Sequence, residues 1–245
     1  MDRLISFSTD STTMKTWSTP HLISIGVILG LCIILILCRK RFVTEKSKHI
    51  FRFVFAGFIT VQQASIYIWY TVSGEWSLEI TLPLQLCDLS LFLTIFVLIT
   101  KRQIPAELLY FWGVGGALQA ILTPDIGPYT YPHFVFYQYF ISHGVILLTC
   151  IYMLAVEKFR PSSKSVLRSF IITNLYALFI LPVNALTGGN YLFLSRKPST
   201  GSMMDFLGPW PWYILSLEAV AVVMFVLLYM PFASGNKKGQ KAIPF

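Results

Sequence analysis

Seven stretches of this chain are apolar over the length at which a helix crosses a bilayer, and that feature constrains the fold more than any other. A spanning helix needs ~20 mostly apolar residues. The stretches run over 21–38, 50–70, 82–100, 105–122, 133–156, 166–186 and 212–231. Hydrophobic residues make up 55% of the 245 positions and charged residues only 12%, about half the charged fraction of an ordinary soluble domain. One water-soluble core cannot hide that much apolar surface. The composition therefore excludes a soluble enzyme, a disordered chain and a disulfide scaffold. It predicts an all-α, polytopic integral membrane protein in which residues 1–245 form a single seven-helix transmembrane domain.

The first run is not read as a cleavable signal. It has no small-residue cleavage site and ends directly in Cys38-Arg39-Lys40-Arg41. The fourth run is the least apolar, with Glu107 and Gln119 inside it and Pro105 in its first turn, where proline is tolerated.

The net charge of +8 would suggest nucleic acid in a soluble protein. Here the basic residues lie in short blocks beside the apolar runs, which is how membrane orientation is encoded. No nucleic-acid partner is expected. Fourteen Lys and Arg fall in 39–49, 101–104, 157–168 and the tail, against Arg3, Lys15, Arg196 and Lys197 in the other connections. The bias predicts the N-terminus outside, the C-terminus in the cytoplasm, and an odd number of spans. A bacterial plasma membrane is the expected location. No internal repeat supports an inverted-repeat transporter. The longest outer connection, about 187–211, is rich in Gly, Pro, Asn and aromatics, which predicts an ordered interfacial cap.

Polar residues within a bilayer are costly and by default mark function. At ~1.5 Å of rise per residue, Gln62 and Gln63, Cys87 and Asp88, Gln119, Gln138, Asn184 and Glu218 fall in the outer half of their helices, with His143 and Asn174 near the middle. Six of the seven runs thus place hydrogen-bonding groups at similar depth, which predicts a polar pocket opening outward. The competing reading is interhelical hydrogen bonding, which suits Gln63 and Asn174 well. It suits Asp88, His143 and Glu218 less well, because an ionisable group is poor glue in hydrocarbon.

The four cysteines have no metal-ligand spacing, and no cofactor or metal is expected. Cys87 alone lies in an outer half, so a disulfide is not expected for it. A buried thiol is usually a small hydrophobe; it becomes a nucleophile when a base favours the thiolate. His143 is the candidate base, with Asp88 or Glu218 to orient it, as in nucleophilic triads. Gln62, Gln119, Gln138 and Asn184 are candidate pocket residues, and Arg196 and Lys197 are candidate contacts for a lipid phosphate. His21 reads as an interfacial histidine and His133 as a helix cap. Gly113-Val114-Gly115-Gly116 reads as close helix packing, since no strand precedes it.

Several strings together resemble one family: Leu82-Pro83-Leu84-Gln85-Leu86-Cys87-Asp88, Gly115-Gly116-Ala117-Leu118-Gln119-Ala120 with Thr123-Pro124-Asp125, Pro132-His133-Phe134, Ile141-Ser142-His143-Gly144, Asn184 with Gly188-Gly189-Asn190-Tyr191, and Leu207-Gly208-Pro209-Trp210-Pro211. They resemble the YwaF-type bacterial integral membrane proteins, related to the eukaryotic transmembrane protein 164 family, over nearly the whole chain. The eukaryotic members are regarded as phospholipid acyltransferases using an intramembrane Cys and His. The resemblance implies that pair to be Cys87 and His143. It is similar in turn to the androgen-induced membrane hydrolases, which use a Thr/His pair. The implied function is acyl transfer or ester hydrolysis on a phospholipid or lysophospholipid, with membrane lipid as partner and no protein partner. The alternative is a non-catalytic binding or transport protein holding a small ligand or proton in the same cavity.

Overall fold

The computed structural model describes residues 14–198 and 203–233, all helix, turn or irregular chain with no strand among them. Arg3, Lys237, Lys238 and Lys241 of the charge pattern lie outside the described residues.

Among the described residues, seven α-helices follow the seven apolar runs: α1 Thr19–Cys38, α2 Glu45–Ser73, α3 Leu86–Thr100, α4 Gln103–Leu122, α5 Phe134–Ala155, α6 Ser163–Thr187 and α7 Trp212–Ala233. Short 3-10 turns occupy Arg39–Arg41, Tyr191–Phe193 and Met203–Leu207. Five helices, all but α3 and α4, are long and apolar enough to cross a membrane. Helix α3 has only 15 residues, and α4 carries Gln103, Glu107, Gln119 and three glycines.

Helix ends depart from the apolar runs where local chemistry dictates. The polar turn 45–49 extends α2, because Thr44 caps it by accepting from the Ser47 amide at 3.1 Å. At the other end, Gly74 takes the left-handed conformation (φ 73°) that closes the helix. Ser162 and Ser165 form a reciprocal capping box on α6. His133 caps α5, its Nδ1 accepting from the Val135 amide at 3.1 Å, as the sequence suggested. Helix α3 starts at Leu86, not at 82, because residues 82–85 are turned: the Leu84 amide bonds the Leu82 carbonyl at 2.7 Å.

The core lies where α3, α4 and α5 pack together, filled by Val97, Leu98, Leu109, Phe111, Ile146 and Met153. Most of the apolar stretch of α5 is buried (67%), against 11% in α6 and α7. Leu175, Leu178, Leu215 and Leu227 face outward with more than half of their surface exposed. An apolar exterior around a packed interior is the arrangement a lipid solvent selects.

The glycine run on α4 is a close-packing face. A Cβ on Gly113 would meet Ile146 Cγ2 at 2.8 Å and Cys150 Sγ at 3.1 Å, so α4 and α5 approach there as only glycine allows. His21 lies at the start of α1. It is fully buried, with Nδ1 accepting from the Trp17 amide at 2.9 Å and Nε2 2.7 Å from the Ile121 carbonyl. A side chain bonded at both ring nitrogens to backbone ties the start of α1 to the end of α4.

Candidate functional site

Cys87 is the second residue of α3. The first backbone N–H groups of a helix have no partner within it, and the helix dipole places partial positive charge there. Gln85 is the N-cap residue, and the Asp88 carboxylate takes a hydrogen bond back from the Gln85 backbone. Asp88 therefore serves the start of the helix that carries Cys87. Around it, within electrostatic range, stand Tyr67, Tyr70, Tyr176 and Tyr191.

The thiol faces α4 at a glycine. A Cβ on Gly116 would lie 3.6 Å from Cys87 Sγ. From α5, the Tyr139 hydroxyl comes within electrostatic range of Cys87 and donates to the Ala120 carbonyl of α4 at 3.0 Å. His143 lies one turn further along α5, its ring centroid 4.2 Å from that of Tyr139. Its Nδ1 is 2.7 Å from the Tyr139 carbonyl. A carbonyl only accepts, so Nδ1 carries the proton and Nε2 keeps its lone pair. The group that orients the imidazole is thus a backbone carbonyl. All four cysteines are free thiols.

The remaining predicted residues separate into distinct clusters. Gln62 Nε2 donates to Gln138 Oε1 at 2.5 Å and to Ser142 Oγ at 2.7 Å, while Gln138 Nε2 donates to the Gln62 carbonyl at 3.2 Å. This buried cluster joins α2 to the α5 face beside His143. Glu218 Oε2 accepts from Asn174 Nδ2 at 3.0 Å, linking α7 to α6. Gln119 is exposed. Asn184 is buried and holds the backbone of Tyr191 from both sides, Nδ2 to its carbonyl at 2.9 Å and Oδ1 from its amide at 2.8 Å. Arg196 is exposed, and its amide and carbonyl are both held by the Asn190 side chain. Lys197 Nζ lies 5.6 Å over the Tyr213 ring.

The connection that follows α6 and the start of α3 are latched together. Gln85 Oε1 accepts from the Leu192 amide at 2.9 Å, and Gln85 Nε2 reaches the Asn190 carbonyl at 3.4 Å. The Tyr191 hydroxyl donates to the Leu78 carbonyl at 2.8 Å and accepts from the Leu82 amide at 3.1 Å. Burial pushes the Tyr191 phenol above its ordinary range, although the Leu82 N–H opposes this, so it stays neutral and can donate. Gly189 is needed for close approach: a Cβ there would meet the Tyr191 ring at 2.9 Å and the Glu79 carbonyl at 3.0 Å. Sequence reasoning gave no role to Gln85, Tyr139 or Tyr191. The only signal was that the strings around Gln85 and Tyr191 both stood out, without showing that they touch.

A helical bundle with an apolar exterior and helices long enough to span defines a multi-pass membrane protein. The profile of the TMEM164 family matches residues 16–229, and the chain belongs to that family. It is also similar to a protein of Treponema pallidum (strain Nichols) described as uncharacterized, 29% identical over 153 residues. That match covers 62% of this chain and 62% of the relative. No solved structure matches the chain.

Proposed function

We propose that the protein is an intramembrane lipid-modifying enzyme that transfers or hydrolyses a phospholipid acyl ester through Cys87 and His143. In this reading all seven helices span the cell membrane, with the N-terminus outside and the C-terminus cytoplasmic. The observation that carries it is the bond from His143 Nδ1 to the Tyr139 carbonyl, which leaves Nε2 as a base, with the Tyr139 hydroxyl within electrostatic range of Cys87. The Cys87 proton passes to Nε2 and the sulfur attacks the ester carbonyl, forming a tetrahedral oxyanion. The first N–H groups of α3 are the donors for that oxyanion. Collapse expels a lysophospholipid alkoxide, which takes the proton from Nε2 and leaves an acyl-thioester on Cys87. The acceptor, a lysophospholipid hydroxyl or water, then loses its proton to Nε2 and attacks the thioester. Collapse transfers the acyl group and returns the proton to sulfur.

The test is acyl transfer or release from labelled phospholipid by the purified full chain, comparing wild type with Cys87→Ser and His143→Ala. Loss of on the order of 10²-fold or more in each is expected, with a hydroxylamine-sensitive acyl adduct on Cys87 in the wild type only. Unchanged activity in both variants removes the mechanism.

A second reading, binding or proton transport without covalent chemistry, draws on one observation: Glu218 is an ionisable group on an otherwise apolar helix, held by Asn174. It predicts ligand or proton flux that Glu218→Gln abolishes and Cys87→Ser leaves intact.

A further inference from the structure

The end of the bundle opposite Cys87 is strongly and unevenly charged. Twelve Lys and Arg fall in 39–52, 101–107 and 157–168, against three carboxylates, Glu45, Glu107 and Glu157. Each carboxylate is already engaged. Glu45 pairs with Lys48 at 2.7 Å and Glu107 with Arg168 at 2.6 Å. Glu157 takes Lys101 Nζ on Oε2 at 3.1 Å and the Tyr152 hydroxyl on Oε1 at 2.8 Å.

Arg52 is only loosely paired, sharing Glu157 with Lys101. It lies just over two turns into α2 and is 7% exposed. Its Nε is 3.8 Å from Glu157 Oε1, beyond hydrogen-bond length. Both Nε and Nη1 are shielded from solvent and have no hydrogen-bond partner among the described residues. Buried donors are almost always satisfied, and a charged one left bare is the costliest kind. Lys48 is one turn earlier on the same face of α2 and Lys101 closes the other side, their side chains 19% and 29% exposed. Glu45 lies within electrostatic range of both Lys101 and Arg52.

We propose that this end of the bundle binds a phosphate group, with the Arg52 guanidinium as its buried donor and Lys48 and Lys101 as flanking charges. Each bare guanidinium N–H can donate to a phosphate oxygen. A cation cluster at a bundle end lies at headgroup level, where an anionic phospholipid presents such a group. Inorganic phosphate carries the same chemistry. The site owes nothing to Cys87, at the other end of α3, or to His143, which lies on α5.

The test is thermal unfolding of the purified full chain in detergent, titrated separately with dioleoylphosphatidylglycerol, dioleoylglycerol and inorganic phosphate. Phosphatidylglycerol is expected to raise the midpoint saturably and dioleoylglycerol not to do so. Arg52→Gln is expected to weaken half-saturation on the order of tenfold, and Arg41→Gln, an exposed charge at the same end, less than about twofold. Protection by inorganic phosphate with the same Arg52 dependence assigns the site to free phosphate; protection by the lipid alone assigns it to a headgroup. Protection by neither overturns the proposal, as does equal weakening by Arg52→Gln and Arg41→Gln. Should Arg52→Gln not fold, Lys48→Gln decides: about threefold or more weakening is expected, and unchanged half-saturation overturns the site.

Discussion

Gln85 and Leu192 are 107 residues apart in sequence, yet the Leu192 amide donates to Gln85 Oε1 at 2.9 Å. The bond fixes the connection that follows α6 against the N-cap residue of α3, two positions before Cys87. Gln85→Ala removes it together with the weaker contact to Asn190. Lost neutral hydrogen bonds of this kind cost ~1 kcal/mol each. The expected outcome is faster maleimide labelling of Cys87 and lower lipid turnover, with the thermal midpoint only a few degrees lower. An unchanged labelling rate counts against the latch.

Asn184→Ala strands the amide of Tyr191 in a buried setting and leaves its carbonyl only the Leu194 amide at 3.4 Å. Leaving buried polar groups unpaired costs ~1–3 kcal/mol. Limited proteolysis should then cut within 187–198, a stretch protected in the wild type, before the helices unfold.

Gly113 and Gly116 lie one turn apart on α4 and should respond differently to alanine. At Gly113 the new methyl meets Ile146 and Cys150 inside contact distance, and overpacking of this kind costs ~1–3 kcal/mol. At Gly116 the methyl sits at ordinary contact distance, 3.6 Å from Cys87 Sγ. Gly113→Ala should lower the unfolding midpoint in detergent, while Gly116→Ala should leave it unchanged and alter the reactivity of Cys87.

Gln62 and Gln138 bond each other in both directions. A double-mutant cycle with alanine at each should give a coupling of ~0.6–1.7 kcal/mol, the range for hydrogen bonds between membrane helices. A coupling near zero would mean the two amides find other partners once separated.

The positions of all seven helices were legible in the sequence, because lipid requires apolar runs of about the right length. Their ends were less so. Helix α2 runs several residues beyond its apolar stretch at both ends, since Thr44 and Gly74 supply caps that hydropathy does not register. Helix α3 begins four residues late, because Leu82–Gln85 are turned and tied to the distant 190–192 segment. The depth argument assigned these polar residues to one pocket, whereas the structure divides them among separate partnerships. Gln62 and Gln138, Glu218 and Asn174, and Asn184 and Tyr191 form separate partnerships. Depth is a one-dimensional coordinate; the azimuth that decides partners comes from packing. The same limit hid the Tyr139 carbonyl beneath His143, since a backbone acceptor has no sequence signature.

The shortness of α3 has a geometric consequence. Fifteen residues rise only ~22 Å, whereas a hydrocarbon layer is ~30 Å deep. If Lys101 marks one boundary, as the proposed topology has it, the opposite tip stops ~8 Å beneath the other. In the proposed function that recess sets the thiol towards the stratum where glycerol backbones join their fatty chains, so that a lipid arriving sideways would bring its ester to the sulfur without leaving its own leaflet.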